Sequence, residues 1–400
     1  MKAVILAAGE GSRMQPLTEN RPKSMLPVGN VPILEHIVRE LAEADIQDII
    51  IIVGYAGENI RNHFGDGRRW NVNIEYSEER HRSGTAHAIG LVRNIVNEPF
   101  LAMNGDILVR SEDIQQIMLL EQPAMAVYEV EDARRFGCVE IKGDRIVDIH
   151  EKNPEPPTNM VNAGIYILTE DVFGIIDKLK PSPRGEYEIT DCLKILAQRR
   201  EGLGYYRLSV WQDISYPWDL LTANEAVLSG LQTCNFGRIE TGVQIQGPVQ
   251  IGENTVVQAG SYIEGPVVIG AGCHIGPSCF IRPFTAIGNN CHIGAFTEIK
   301  NSIIMSGTNV PHQNYVGDSI IGEKCNLGAG TRIANLRFDN KSITINGIDT
   351  GRRKFGAVFG DNVLTGINVT VNAGTMIGGN SCVGPGAVIK GTIKPGTIIE

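Results

Sequence analysis

No stretch of this 400-residue chain approaches the run of ~20 apolar residues that a membrane-spanning helix requires, so no bilayer-crossing segment is expected. A secretory signal is also missing. The apolar run after Met1-Lys2 is short, and Gly9-Glu10-Gly11 interrupts it. The eight cysteines show no CxxC spacing, which removes the usual signature of a zinc site or a redox pair. Four of them, Cys273, Cys279, Cys291 and Cys325, recur at one offset of a repeat and read as small buried fillers in a reducing cytoplasm. Positive charge is in deficit: 36 Lys and Arg stand against 45 Asp and Glu, a net charge of −9. That balance argues against broad binding to nucleic acid or to anionic membranes. An anionic substrate must therefore be met by a local cluster of Arg and Lys.

What is present begins with a period of six. One aliphatic residue returns every sixth position at Ile245, Ile251, Val257, Ile263, Ile269, Ile275, Ile281, Ile287, Ile293, Ile299 and Met305. The count then stops across a segment containing His312-Gln313-Asn314-Tyr315, and resumes at Ile321, Leu327 and Ile333. After a second break it runs from Phe359 to Ile389, with Thr365 in one aliphatic place. Six fits neither a 3.6-residue helix nor a two-residue strand alternation. It reads as a solenoid of short parallel strands, one hexapeptide per flat face. Glycines after many of these residues (Gly252, Gly270, Gly276, Gly288, Gly294) are expected at corners that need permissive backbone. Regular rungs are accounted for by packing, so chemistry is expected at the two breaks.

A chain this long exceeds one ordinary core, and two domains are expected: 1–228 and 229–400. In the first, Val4-Ile5-Leu6, Ile49 to Val53 and Phe100 to Met103 read as buried strands, and Pro32 to Ala44 and Asp219 to Gly230 as helices. This alternation predicts a doubly wound, mostly parallel α/β sheet. Ligands of such sheets bind at the carboxyl ends of strands, which places Gly9–Arg13 and Asn104–Asp106 on one rim.

The loop from Leu6 to Met14 contains Ala8, Gly9, Gly11 and Arg13. Its backbone N–H groups can approach a polyphosphate closely. Arg13 offers paired donors to phosphate oxygens, and Lys23 a mobile point charge. A bare Gly-x-Gly would also serve a tight βα turn. The longer run Gly9-x-Gly11-x-Arg13-x-x-Pro16-Leu17-Thr18, followed by Arg21-Pro22-Lys23, is more specific. It is neither a P-loop nor a dinucleotide fingerprint, because the GKS/T and the third glycine are missing.

That run resembles the signature of nucleoside-triphosphate sugar-1-phosphate nucleotidylyltransferases. The resemblance continues, in the family's order, through Gly84-Thr85-Ala86-His87, Asn104-Gly105-Asp106, Phe136-Gly137, Glu151-Lys152, Asn162-Ala163-Gly164 and Gly185 to Asp191. It implies that Leu6, Ala8, Gly9, Gly11, Gly84 and Thr85 hold the nucleotide. Arg13 would sit near the departing pyrophosphate and Lys23 near the α-phosphate. Asp106 would bind Mg²⁺, with Asp219 of Trp218-Asp219 as second ligand. Gly137, Glu151, Asn162 and Thr190 would surround the sugar. One departure concerns the base. Glu79 stands where the family often has a Gln that reads a pyrimidine edge, and a carboxylate accepts but cannot donate. A preference for UTP or dTTP is therefore implied less firmly than the phosphate chemistry.

In the second domain Arg282, Lys300 and Lys341 form a set of cations suited to phosphate. Arg282-Pro283, Glu298-Ile299-Lys300, His312-x-x-Tyr315-x-Gly317-Asp318, Gly328-Ala329-Gly330-Thr331, Asn335 and Asn340-Lys341 resemble the acetyltransferase half of bifunctional N-acetylglucosamine-1-phosphate uridylyltransferases, built on a left-handed parallel β-helix. The resemblance implies acetyl transfer from acetyl-CoA to an amino-sugar 1-phosphate (glucosamine, or galactosamine) and a homotrimer with acetyl-CoA between solenoids. His312 would be the general base. Arg282, Lys300, Tyr315 and Lys341 would hold the sugar phosphate, and Asn335 would orient the amine or polarise the acetyl carbonyl. Ala329 and the basic Arg352-Arg353 pair are expected to meet coenzyme A. Two other readings stand beside this one. The solenoid could be a non-catalytic trimerising module on a glucose-1-phosphate or mannose-1-phosphate nucleotidylyltransferase, or the chain could be a regulatory subunit. The last would be expected to have lost Lys23, Asp106 or Asp219, and all three are present.

Overall fold

The computed structural model describes residues 1–81, 83–151, 153–183, 185–199 and 202–400. The chain divides into two compact units. One comprises Met1–Glu10, Arg21–Met25 and Ile33–Asp213; the other comprises Gly11–Asn20, Leu26–Pro32 and Ile214–Glu400. By compactness, therefore, the helix Pro217–Ser229 and two short N-terminal segments go with the solenoid.

In the first unit nine strands form one sheet, in the order Asn73–Glu78, Asp48–Val53, Ala3–Ala7, Phe100–Asn104, Met160–Leu168, Ala124–Glu129, Leu203–Arg207, Arg145–Glu151 and Gly137–Lys142. The first four are mutually parallel, and Met160–Leu168 runs against Phe100–Asn104. Strand alternation sorts the side chains between two cores. Ile49, Ile51 and Val53 pack with Leu34, Ile37, Val38 and Leu41 of the helix Ile33–Glu43. Ile50 and Ile52 pack on the other face with Ala88, Ile89 and Leu193. A strand covered on both faces reads as an unbroken apolar run, which is why Ile49 to Val53 was legible. The ends of Ala3–Ala7 and Phe100–Asn104 meet: Gly105 N–H donates to the Leu6 carbonyl at 2.9 Å, and a Cβ on Gly105 would come within 2.8 Å of that oxygen. The loops that follow these two strands therefore start side by side.

The second unit contains three flat parallel sheets of nine, nine and eight strands, each strand pairing with the third one on in sequence except where an inserted hairpin intervenes. This is the solenoid the repeat predicts and the left-handed β-helix the resemblance implies. Its axis is filled by one continuous cluster that includes Ile251, Ile269, Ile287, Ile304, Ile321, Phe359 and Ile377. Burying each such residue stabilises the stack by ~1.5–3 kcal/mol.

Two expectations about the ladder need correction. It does not stop after Met305. Ile287 pairs with Ile304 and Ile304 with Ile321, steps of 17 residues where Ile269 to Ile287 takes 18. One residue is missing from a corner in each of these coils, so strict counting by six selects Met305, while the axial residue is Ile304. His312 to Tyr315 therefore belong to a regular coil, with Gln313 N–H bonded to Ala295 O of the preceding coil. There is a single insertion. Ile321 pairs with Phe359, 38 residues on. The extra chain folds as a hairpin, Thr344–Ile345 with Ile348–Asp349, that buries Ile343 and Ile345. Its turn is Asn346-Gly347, both at positive φ (49° and 82°), the arrangement of a two-residue type I′ turn.

Of the five rung glycines only Gly276, at φ 100°, has the permissive backbone expected, and the reason for the others changes. Gly252, Gly270, Gly288 and Gly294 do not adopt positive φ. They are needed because the next coil passes too close: a Cβ on Gly252 would lie 2.6 Å from Ala271 N, and one on Gly294 1.7 Å from Pro311 O. The left-handed corners are taken by other glycines, as at Gly260, Gly272 and Gly330, and by asparagines, as at Asn254, Asn290, Asn362 and Asn380. The four repeat cysteines are buried thiols. Cys273 and Cys291 donate to carbonyls of the following coil, Gly288 O and Met305 O, as Thr255 and Thr308 do to Gly270 O and Gly322 O.

Candidate functional site

In the first unit the rim gathers the phosphate-type residues. Lys23 Nζ lies 2.6 Å from Asp106 Oδ2, with both groups largely sheltered. Asp106 Oδ1 has no hydrogen bond among the described residues, so one carboxylate oxygen remains for a divalent cation, which suits Mg²⁺ and its taste for one or two carboxylates plus phosphates. Gly9 lies exposed beyond Ala8, and an added Cβ there would meet nothing within 4 Å.

The other predicted residues of this unit are small and polar, and several are held by one another. Gly164 has φ 75°, and a Cβ there would lie 2.4 Å from Asn104 Nδ2. Its N–H donates to Asn162 Oδ1 at 2.9 Å, while Asn162 Nδ2 donates to Tyr166 Oη at 2.9 Å. Burial first, against the help of Asn162, pushes the Tyr166 hydroxyl above its ordinary range, so it stays neutral. Gly137 pairs with Glu151, and a Cβ on Gly137 would reach 2.8 Å from Glu151 Oε2. Lys152, named with Glu151 in the sequence motif, lies outside the described residues. Gly84, at φ 105°, lets Tyr187 O approach to accept from Ala86 N–H, and Thr85 Oγ1 accepts from Ile189 N–H at 2.9 Å. The Thr190 hydroxyl is buried with no partner among the described residues, as expected of a group reserved for a ligand. Glu79 is almost fully buried, with Oε1 3.4 Å from His87 Nδ1.

Three predicted nucleotide-site residues, Gly11, Arg13 and Asp219, belong to the second unit. The Arg13 guanidinium sits 5.9 Å from the centre of the Tyr216 ring, which stacks on Trp218 at 4.6 Å. Asp219 caps the helix Pro217–Ser229: its Oδ2 accepts from Ser215 N–H at 2.9 Å and Tyr216 N–H at 2.7 Å.

The solenoid assembles a polar cluster from four successive coils. Glu298 pairs in register with Tyr315, and Lys300 with Gly317. Arg282 Nη1 lies 2.8 Å from Glu298 Oε1. Lys300 Nζ lies 3.1 Å from Asp318 Oδ2, and Asp318 is only 3% exposed. Asn335 Nδ2 donates both to Asp318 Oδ2 at 2.5 Å and to Tyr315 Oη at 3.2 Å. Burial, ahead of the charges on Glu298 and Asp318, raises the Tyr315 hydroxyl above its ordinary value. Beside it lies a cleft of about 430 Å³ lined by Glu264, Arg282, Phe284, Lys300, Asn301 and Glu225, into whose wall the unpartnered Arg282 Nε is buried.

So the fold joins Arg282, Lys300, Tyr315 and Asn335. It places the remaining predicted residues differently. His312 is exposed at a corner, with Ala329 at the same corner of the next coil, where Gly330 N–H donates to His312 O. His292 has its pKa lowered by burial and then by charge on His274 and His312. No hydrogen bond joins His312 to the cluster among the described residues. Lys341 and Arg353 are exposed, the latter donating to Asn340 Oδ1 at 3.2 Å. Arg352 is held by the helix instead: its guanidinium bonds Glu225 and lies 2.9 Å from Thr222 Oγ1. Asp318 and Asn301 had not been singled out by their chemistry. The signal was available, since Asp318 stands three residues after Tyr315, and only pairing in register puts its carboxylate next to Lys300.

Residues 2–230 match a family model described as nucleotidyl transferase, and residues 263–374 one described as the GMPPB C-terminal domain. Over its full length the chain is 46% identical to the bifunctional protein GlmU of Methanococcus maripaludis (strain C7), covering 97% of that protein. It is 38% identical, with both chains covered completely, to the bifunctional sugar-1-phosphate nucleotidylyltransferase/acetyltransferase of Sulfurisphaera tokodaii. A solved structure assigned as a glucose-1-phosphate thymidylyltransferase from Bacillus anthracis, crystallised with sucrose, is 34% identical with a TM-score of 0.53, over 58% of this chain and 97% of that one.

Proposed function

This chain belongs to the nucleotidyl transferase family, in its bifunctional branch of sugar-1-phosphate nucleotidylyltransferase/acetyltransferases, and we propose that it makes UDP-N-acetylglucosamine in two steps. In the first, the 2-amine of glucosamine 1-phosphate attacks the thioester carbonyl of acetyl-CoA. The C–N bond forms, the C–S bond breaks, His312 takes a proton from the nitrogen, and coenzyme A leaves as the thiol. In the second, a phosphate oxygen of N-acetylglucosamine 1-phosphate attacks the α-phosphorus of UTP and pyrophosphate departs.

The observation that carries the acetyl-transfer half is the joint placement of Arg282, Lys300, Tyr315 and Asn335 on adjoining coils. Two cations and a neutral phenol suit a phosphate monoester, and an amide suits the amine. Lys341 of another solenoid or of the same one would complete the clamp in a homotrimer. Coenzyme A phosphates would meet Arg353 in preference to the helix-bound Arg352, and Ala329 would lie against another part of coenzyme A. For nucleotidylyl transfer, Lys23 beside Asp106 and the Gly9–Arg13 loop neutralise phosphates so that two anions can meet in line. Magnesium, held by Asp106 with Asp219 as second carboxylate, would supply further charge neutralisation. The unpartnered Thr190 hydroxyl, with Gly137, Glu151 and Asn162, would receive the sugar, and Glu79 would accept from the base.

A cytoplasmic location suits these soluble substrates, and among the described residues no helix is long and apolar enough to cross a membrane. The test is a substrate matrix: four nucleoside triphosphates against several sugar 1-phosphates, with and without acetyl-CoA. Consumption of acetyl-CoA with glucosamine 1-phosphate, followed by UTP-dependent pyrophosphate release, is the expected result. A second reading draws on the match of residues 263–374 to the GMPPB C-terminal domain, a description that names no acetyltransferase: nucleotidylyl transfer alone, with an inert solenoid. Absence of acetyl-CoA consumption in the same matrix would select it.

A further inference from the structure

Asp318 is a buried carboxylate that touches no predicted substrate atom and yet meets three predicted or adjacent side chains. Lys300 lies 3.1 Å from Oδ2, Asn335 Nδ2 2.5 Å from the same oxygen, and Asn301 Nδ2 3.0 Å from Oδ1. A carboxylate ion-paired to a lysine can only accept hydrogen bonds. The end of the Asn335 amide that faces it must therefore be the NH₂ end. The second hydrogen of that NH₂ goes to Tyr315 Oη at 3.2 Å, so Tyr315 uses its oxygen as acceptor there and keeps its own O–H free to donate. The Asn335 Oδ1 oxygen is left without a hydrogen bond among the described residues. Gly317 provides the room: a Cβ there would come 2.6 Å from Asn335 Nδ2 and 2.7 Å from Tyr315 Oη.

We infer that Asp318 is the positioning residue that sets the polarity of the acetyl-transfer site. Through one fixed amide it makes Asn335 an acceptor toward the substrate nitrogen and Tyr315 a donor toward the substrate phosphate. This rests on the acetyltransferase reading above and narrows it. An Asn335 locked in this sense holds an N–H of the attacking amine. It does not polarise the acetyl carbonyl, a task that needs a donor. Asp318 is itself anchored, since Asn301 Nδ2 also donates to Glu225 Oε1 at 2.9 Å, and Glu225 is bonded by Arg352 of the inserted hairpin.

The experiment exchanges donor and acceptor. Asp318→Asn removes the obligate acceptor, lets the Asn335 amide turn, and should lower kcat for acetyl transfer on the order of 100-fold, with little change in KM for acetyl-CoA. Asn335→Asp sets two carboxylates face to face that must share a proton, so its residual acetyl transfer should rise toward acidic pH. The double variant D318N/N335D restores the contact with roles reversed and still presents an oxygen to the amine. It should recover at least about tenfold in kcat over the weaker single variant at neutral pH, the sign of a coupled pair. Gly317→Ala, which keeps Asp318 but crowds the amide, should reproduce the kcat loss. Nucleotidylyl transfer by the same full-length proteins reports folding. A double variant no better than its single parents, or near wild-type kcat in D318N, overturns the inference while leaving the functional reading intact. A wild-type protein that consumes no acetyl-CoA with glucosamine 1-phosphate overturns both.

Discussion

The two units keep their chemistry in opposite places. In the α/β unit the residues assigned to phosphate and metal stand where regular structure ends: Asp106 just beyond Phe100–Asn104, and the backbone of Gly9 just beyond Ala3–Ala7. In the solenoid they stand on the regular strands themselves, Glu298 and Lys300 flanking buried Ile299, and Tyr315 before buried Val316. A sheet buried on both faces has no outward side for polar groups, so function moves to the loops. A solenoid strand has one face on the axis and one in solvent, so each coil carries both packing and chemistry in alternation.

The contrast can be tested by separating the two activities. Asp106→Ala should cut pyrophosphate release by several orders of magnitude and leave acetyl transfer within about twofold. His312→Ala should do the converse, lowering acetyl transfer by roughly 10²–10⁴-fold, the range for loss of a general base. Equal loss of both activities in either variant would break the division of labour.

The next effect is on stability. Ile304→Ala removes an axial side chain and should cost about 2–5 kcal/mol in denaturant unfolding of the solenoid. Met305→Ala, one residue on and outside the axial cluster, should cost clearly less. A reversed order would mean that the coil register is wrong.

In the α/β unit, Glu35 offers a pH test. Burial pushes its carboxyl up, but hydrogen bonds from His63 and Arg39 outweigh it and bring the pKa down from 4.5 to about 2. A depressed carboxylate contributes stability that is present above its unfolded pKa and lost as pH falls from about 4.5 toward 2. Glu35 is 5% exposed, so the contribution is on the order of 3 kcal/mol at neutral pH. Glu35→Gln should remove most of it and flatten the acid limb of the melting curve for this unit. The smallest effect is expected at the hairpin: Gly347→Ala, at φ 82°, should cost ~1 kcal/mol and leave both activities in place.

Sequence reading reached the α/β sheet through continuous apolar strands and the solenoid through its period, and both signals are packing signals. It misplaced the ladder after Ile299 because a corner shortened by one residue leaves an apolar residue, Met305, at the counted position. It took His312 to Tyr315 for a loop for the same reason. The hairpin turn is legible as Asn346-Gly347 between Ile345 and Ile348, a short signal beside the more conspicuous charge of Arg352 and Arg353. Arg352 looked like a phosphate ligand on charge alone. Glu225, 127 residues away in sequence, gives it a structural partner.

The sequence by itself determined which residue types repeat, where strands must be buried, and which cations and carboxylates are available for phosphate and metal chemistry. These are local properties of composition and period. The tertiary structure alone decided which of them meet. Stacking coils with 17- and 18-residue steps brings Asp318 beneath Lys300, and the inserted segment begins by setting Asn335 against both Asp318 and Tyr315. Register cannot be read from a motif, because a single residue lost at a corner shifts every later side chain relative to its neighbours on the coils before it.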